Sequence, residues 1–279
     1  VNFLGFKVFI SADMEGICGV VHSDQTNPGS REYERACKLM TSEVNAAIEG
    51  AIIGGADEII VNDSHGSMRN IIIEDLHPKA KLITGSPKVL SMMAGINETF
   101  DAAFFIGYHA KFGSINAILD HTISGSVVRS ISINGLSVGE VGINAGIAGY
   151  YNVPVVLVTG DSTVVEEAKS LLGNVMTVKV KEAFGRYSAL CIHPSEAREL
   201  IKSAAKSALE NLSKFSPFKF KPPIKLNLTF MNSGMADLAT MIPDVKRIDA
   251  TTVEYVSDDY LKCFKVLRVM IYLASTLLR

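Results

Sequence analysis

Six residues combine side chains able to bind metal or move protons with suggestive positions: Asp13, Glu15, His65, His109, His121 and Glu140. Asp13 and Glu15 follow the apolar run FKVFIS, His65 follows EIIVN within Asp63-Ser64-His65, and His109 follows AAFFI within Tyr108-His109. Glu140 follows a hairpin pattern. In extended backbone, carboxylates two apart point the same way, which suits a shared cation. Singly, each residue has a plainer account. A carboxylate pair at a strand end is usually solvated, a histidine usually bonds a nearby carbonyl, and a glutamate at a helix start usually answers the helix dipole.

Together they point to a metal centre, because independent plain accounts do not predict several acids and histidines at strand ends on one rim of a sheet. Asp13 is expected to bridge two ions about 3.5 Å apart, with Glu15 and His65 completing one and His109 and Glu140 the other. Three carboxylates carry −3 against +4 for two divalent ions, so a bridging hydroxide would bring the centre to neutrality and supply a hydrolase's nucleophile. The mixed imidazole and carboxylate set suits two Zn2+ per subunit, with Co2+ or Mn2+ as alternatives. His121, after Asp120 in KFGSINAILDHT, is the expected catalytic acid/base or stabiliser of the tetrahedral intermediate. His22, His77 and His193 read as loop, turn and helix-boundary residues. The adjacent Met92 and Met93 read as core filler.

The elements needed to position these residues alternate strand and helix. Strands are expected at 6–11, 58–62, 102–106 and 155–159, with helices at 31–53 (capped by Ser30), 139–151 and 162–172. A hairpin over 127–138 turns at Asn134-Gly135. The glycines of GEVGINAGIAGYY suit close helix packing rather than a dinucleotide loop. Beyond residue 179 the pattern becomes a long helix at 194–212, the segment KFSPFKFKPP as the best linker or a packed surface stretch, a strand at 224–230 and a helix at 258–278. The expected class is therefore α/β: a mixed, mostly parallel sheet flanked by helices, with a smaller C-terminal α+β unit. The divisions are 1–180 for the metal-binding region and 181–279 for the smaller one. Ligands in such sheets bind beyond the carboxyl ends of strands, where Asp13, Glu15, His65, His109 and Glu140 are expected, with His121 in a loop close in sequence.

Length and composition narrow the class. The 279 residues, 48% of them hydrophobic, can bury a substantial core. A net charge of −2, from 27 basic and 29 acidic residues, gives no footprint for nucleic acid. Four scattered cysteines form no CxxC pair, which fits a reducing cytoplasm. The apolar start is too short to span a bilayer and lacks a signal-peptide layout, so no membrane partner is expected. HExxH, GxSxG and GxxxxGK[ST] are all absent, which argues against the familiar zinc-protease, serine-hydrolase and P-loop designs.

The chain resembles the bacterial and archaeal D-aminopeptidase family of dinuclear zinc peptidases, typified by the enzyme of the dipeptide-transport operon. The resemblance rests on SADMEG (11–16), REYER (31–35), VNDSHG (61–66), GYHA (107–110), DHT (120–122), VGEVGINAGIAGYYNVPVVLVTGD (138–161) and, more weakly, ATTVEY (250–255). It implies the same partition of ligands, with Asp13 bridging, and gives His121 the catalytic role. It further implies release of an N-terminal D-amino acid such as D-alanine from short peptides, and a ring-like homodecamer whose sites face an internal channel. Asp120 departs from the small hydroxyl residue expected before the histidine, which could alter the basicity of His121. Two other readings compete: a dinuclear hydrolase of another amide or a phosphoester, and a non-catalytic peptide-binding subunit with structural metal.

Overall fold

The structure, a computed structural model, describes residues 5–278; residues 1–4 of the apolar start and residue 279 lie outside the described residues. In chain order the elements are β1 (Phe6–Ala12), α1 (Tyr33–Ile53), β2 (Ala56–Asp63), β3 (Ala80–Ile83), β4 (Ala102–Tyr108), β5 (Val128–Ile133), β6 (Leu136–Ser137), α2 (Glu140–Tyr150), β7 (Val155–Asp161) and α3 (Ser162–Leu172). There follow β8 (Met176–Ala183), β9 (Ala189–Cys191), α4 (Pro194–Glu210), β10 (Ile224–Phe230), α5 (Ser233–Ala239), β11 (Lys246–Arg247), β12 (Thr252–Ser257) and α6 (Tyr260–Ser275).

Two sheets result. The larger has the order β3-β2-β1-β4-β7-β8-β9 and is parallel except for the edge strand β9. The smaller, β11-β12-β10-β5-β6, is antiparallel. The hairpin β5–β6 turns at Asn134 and Gly135, both at positive φ, and pairs with β10, so the smaller sheet draws strands from both sides of residue 180.

β4 and β7 are buried at every position, as strands covered on both faces must be. Side chains that alternate along β1 feed separate cores. Val8, Ile10 and Ala12 join residues of α1 and α4, whereas Phe9 joins residues of α2, α6 and the smaller sheet. From β1 the strand order runs outward to β2 and β3 on one side and to β4, β7 and β8 on the other. The gap between the carboxyl ends of β1 and β4 is therefore the topological switch point, where an α/β sheet opens a crevice.

Several boundaries differ from expectation for local reasons. α1 begins at Tyr33 behind Glu32, with no side-chain cap; the Ser30 hydroxyl accepts only a long 3.4 Å bond from the Glu32 N–H. β3, β8, β9, β11 and β12 are not read singly from the sequence and form where neighbouring strands offer backbone partners, while the short helix α5 is capped by the Asn232 side chain, which accepts from the Met235 N–H. The KFSPFKFKPP segment is packed: Phe215 is buried, and Phe218 and Phe220 lie against the core. The helix glycines serve this packing, since a Cβ on Gly149 would fall 1.7 Å from the Phe218 carbonyl oxygen. No described helix is long and apolar enough to cross a membrane.

Candidate metal centre

All six residues singled out from the sequence converge at the switch point. Asp13 leaves β1 with its N–H still donating to the Ile106 carbonyl of β4 (2.8 Å), and the chain then turns, Ile17 N–H to Met14 carbonyl (3.0 Å). This turn, rather than an extended two-residue repeat, swings Glu15 back beside Asp13. His65 lies two residues beyond β2, where the Ser64 N–H donates to the Ala12 carbonyl (2.8 Å) and holds the β2 loop against β1. His109 is the first residue after β4, and Glu140 is the first residue of α2.

The ligand atoms form two groups. Those of Asp13, Glu15 and His65 lie within 4.8 Å of one another, as do those of His109, His121 and Glu140. Asp13 joins the groups: its Oδ1 is 3.4 Å from His65 Nδ1 and its Oδ2 is 3.4 Å from His109 Nε2. Glu15 Oε2 is 2.9 Å from His65 Nδ1, and Glu140 Oε1 is 3.4 Å from His109 Nε2.

Outer contacts fix the tautomers of the histidines. His65 Nε2 faces the Thr26 carbonyl at 2.9 Å and His109 Nδ1 faces the Ala110 carbonyl at 3.0 Å, so these nitrogens donate. A neutral ring then turns its lone pair, on His65 Nδ1 or His109 Nε2, toward carboxylate oxygens that are also acceptors. His109 Nε2 is buried and has no hydrogen-bond partner. A buried acceptor facing acceptors lacks a cation between them, and imidazoles pinned by carbonyls are how proteins present nitrogen to a metal. The residues thus fit a divalent metal, and the way Asp13 faces both histidines fits a pair.

Electrostatics agree. Burial first, and Glu15 second, push Asp13 up to about 7. Burial would raise Glu140 as well, but His109 outweighs it and brings Glu140 to about 2. For His65 burial works downward, yet Glu15 and Asp13 hold its pKa well above the ordinary value; Glu140 and Asp13 do the same for His109. Without a metal, protons on these rings must take the place of positive charge.

His121 differs. Its ring stacks on His109 with centroids 4.1 Å apart and an interplanar angle of 11°, and its Nδ1 donates to the Leu119 carbonyl at 2.8 Å. Nε2 lies 4.0 Å from Glu140, and the side chain keeps 20% of its surface exposed, against 1% for His109. Burial and the adjacent His109 lower its pKa, leaving Nε2 an unprotonated acceptor near neutral pH.

Other sequence readings find their places outside the centre. His193 caps α4 by accepting from the Ser195 N–H, and His22 sits against Tyr187 at 5.6 Å between ring centroids. His77 accepts from the Lys79 N–H in a turn. Asp63 accepts from the N–H groups of Asn70 (2.5 Å) and Ile71 (2.7 Å), tying down the loop beyond β2. Met92 and Met93 are buried, but Met92 also lines the pocket at the centre.

Supporting residues escaped sequence reading. Ser11 Oγ lies 2.8 Å from both Ser64 Oγ and Tyr108 Oη, and Asn144 donates to Tyr108 Oη at 3.0 Å, so β1, the β2 loop, β4 and α2 are cross-tied beneath the ligands. Lys181, 1% exposed on β8, donates to the carbonyls of Glu15 (2.5 Å), Ile17 (2.9 Å) and Val20 (2.5 Å). Burial lowers its pKa to about 8.

The sequence profile of the D-aminopeptidase family, peptidase family M55, matches residues 6–269. The chain belongs to the D-aminopeptidase family. It is 39% identical over 271 residues to the D-aminopeptidase of Bacillus subtilis (strain 168), a match covering 96% of this chain and 97% of that relative. A solved structure, described as the "Zn-dependent D-aminopeptidase DppA from Bacillus subtilis, a self-compartmentalizing protease", superposes with a TM-score of 0.93 at 38% identity, covering 96% of this chain and 97% of that one. Within the family frame the mostly parallel sheet, the antiparallel sheet and the crevice between β1 and β4 are this chain's version of a shared fold.

Proposed function

We propose that this chain is a zinc-dependent D-aminopeptidase that removes an N-terminal D-amino acid from short peptides, with two zinc ions per subunit. Asp13, placed between the two groups, would be shared by the ions, with Glu15 and His65 holding one and His109 and Glu140 the other. The observation that carries the reading is the buried, partnerless His109 Nε2 facing the carboxylates of Asp13 and Glu140.

Bound zinc supplies Lewis acidity for the scissile carbonyl and makes water acidic enough to attack near neutral pH. The protein's own contribution is placement and proton handling. His121 Nε2, neutral and the most accessible imidazole of the set, accepts the proton of the attacking water and returns it to the leaving amine. The Leu119 carbonyl holds the ring in the tautomer that keeps Nε2 free. Distance alone would also admit His121 as a ligand; its exposure and its 4.0 Å separation from Glu140 favour the proton role.

The described relative is self-compartmentalizing, and the same behaviour is proposed here, with a homodecamer as its specific form and the cytoplasm as its compartment. The test is metal analysis of purified protein alongside hydrolysis of paired D- and L-alanyl peptides. Bound zinc and cleavage restricted to the D series support the reading. Full-rate cleavage by protein verified as metal-free would overturn it.

A further inference from the structure

We infer that Arg268 on α6 recognises the carboxylate of the substrate, which makes short peptides with a free C-terminus the preferred class at the proposed aminopeptidase site. The inference rests on that proposed activity for the identity of the substrate, but its structural basis is separate from the metal ligands.

Arg268 lines the same pocket as Asp13, Glu15, His65, His121 and Glu140, and is the only arginine or lysine among the described residues lining it. The cavity volume is about 150 Å³, which suits a short, compact ligand. Phe264, one helical turn earlier on α6, lines it too, so this face of the helix offers an apolar surface followed by a cation. Met68, Met92, Ile123 and Ile143 supply further apolar wall.

The guanidinium is oriented but lacks a counter-charge. A terminal N–H donates to Tyr272 Oη at 2.7 Å, and Cζ sits 4.7 Å from the Tyr272 ring centroid. Its Nε is buried with no hydrogen-bond partner, and among the described residues no carboxylate lies within 4.0 Å of it. The acids of the pocket are committed elsewhere, to His65, His109 and His121. With two divalent ions and a hydroxide the centre would be neutral, so no excess negative charge opposes a substrate's anionic end, which meets a planar fork suited to bidentate binding. A peptide whose amine lies at the ions and whose carboxylate lies at Arg268 is held at both ends, and the apolar wall accommodates small side chains between them.

The experiment compares D-alanyl-D-alanine with D-alanyl-D-alanine amide on zinc-loaded wild type, Arg268→Gln and Arg268→Lys, reading kcat and KM by turnover. Calorimetry in parallel reads the binding of phosphinate analogues of the two compounds. Wild type is expected to prefer the acid, and Arg268→Gln to raise KM for the acid roughly 10- to 100-fold while leaving the amide within about twofold. Arg268→Lys should recover part of the preference, since charge without the fork restores only part of the contact. Equal kcat/KM for acid and amide in wild type would overturn the assignment, as would losses in Arg268→Gln shared equally by both compounds. Turnover of neither compound, with Arg268-dependent binding of the acid analogue, would instead sink the aminopeptidase reading and leave the carboxylate site standing.

Discussion

Arg186 forms an ion pair with Asp120, the residue immediately before His121, and the same guanidinium nitrogen also donates to the Asp120 backbone carbonyl. The second carboxylate oxygen of Asp120 accepts from the Gly113 N–H at 2.6 Å. The unusual aspartate therefore fastens the loop that carries His121, and its oxygens are engaged away from the imidazole. Asp120→Asn should lower kcat/KM by less than about tenfold and leave the pH–rate profile in place, because a part-exposed ion pair contributes about 1 kcal/mol or less. A loss as large as that of a His121 variant would show that Asp120 takes part in proton transfer.

His121→Ala should cut kcat by about 10²- to 10⁴-fold, the usual contribution of a positioned general base. Zinc content per subunit should stay at the wild-type value. Metal analysis on the same preparation used for kinetics makes the distinction: loss of one zinc would reassign His121 as a ligand.

Zinc binding should release protons. In the metal-free protein burial opposes charge on His65 and His109, but the facing carboxylates prevail and keep both pKa values well above the ordinary imidazole range; burial holds Asp13 at about 7. At pH 7 the ions must displace protons from these groups, and the release should shrink as pH rises through the raised pKa values. Titration calorimetry in buffers of different ionisation enthalpy measures the number. His109→Ala should weaken zinc binding by more than the roughly 10- to 100-fold typical of losing only a ligand's orienting partner.

Glu43 on α1 gives stability its own pH dependence. Burial raises its pKa from 4.5 to about 7, despite the opposing Cys18 N–H and Lys181, and its Oε2 is buried without a partner. The folded state therefore holds a proton that the unfolded chain releases. The contribution is fully present below pH 4.5 and is lost as pH rises through about 7, on the order of 3 kcal/mol across that window. Urea denaturation at pH 5 and pH 8 should show a smaller difference for Glu43→Gln than for wild type. An unchanged difference would place the dependence elsewhere.

Much of the fold was legible because buried parallel strands leave continuous apolar runs: β4 and β7, which have no solvent face, stand out in the sequence. The residues of the candidate centre were legible because strand ends at a switch point are where such side chains gather. What escaped notice depends on distant partners. β8 and β9 lie toward the sheet edge and are patterned weakly, and nothing near Lys181 in sequence announces that its ammonium sits among carbonyls of the loop after β1. Arg268 likewise reads as an ordinary helical arginine until α6 is packed against the crevice. The convergence of Asp13 and Glu15 was anticipated for the wrong backbone, since a turn rather than an extended strand brings them together.

The lysine cage ties the beginning of the chain to a strand made much later, since Lys181 and the Glu15 carbonyl are 166 positions apart in sequence. As the polypeptide leaves the ribosome, Asp13 and Glu15 emerge early, but the cation that steadies their loop has yet to be synthesised. That loop gains its three bonds from Lys181 only once β8 is in place, so a chain cut short before β8 lacks them.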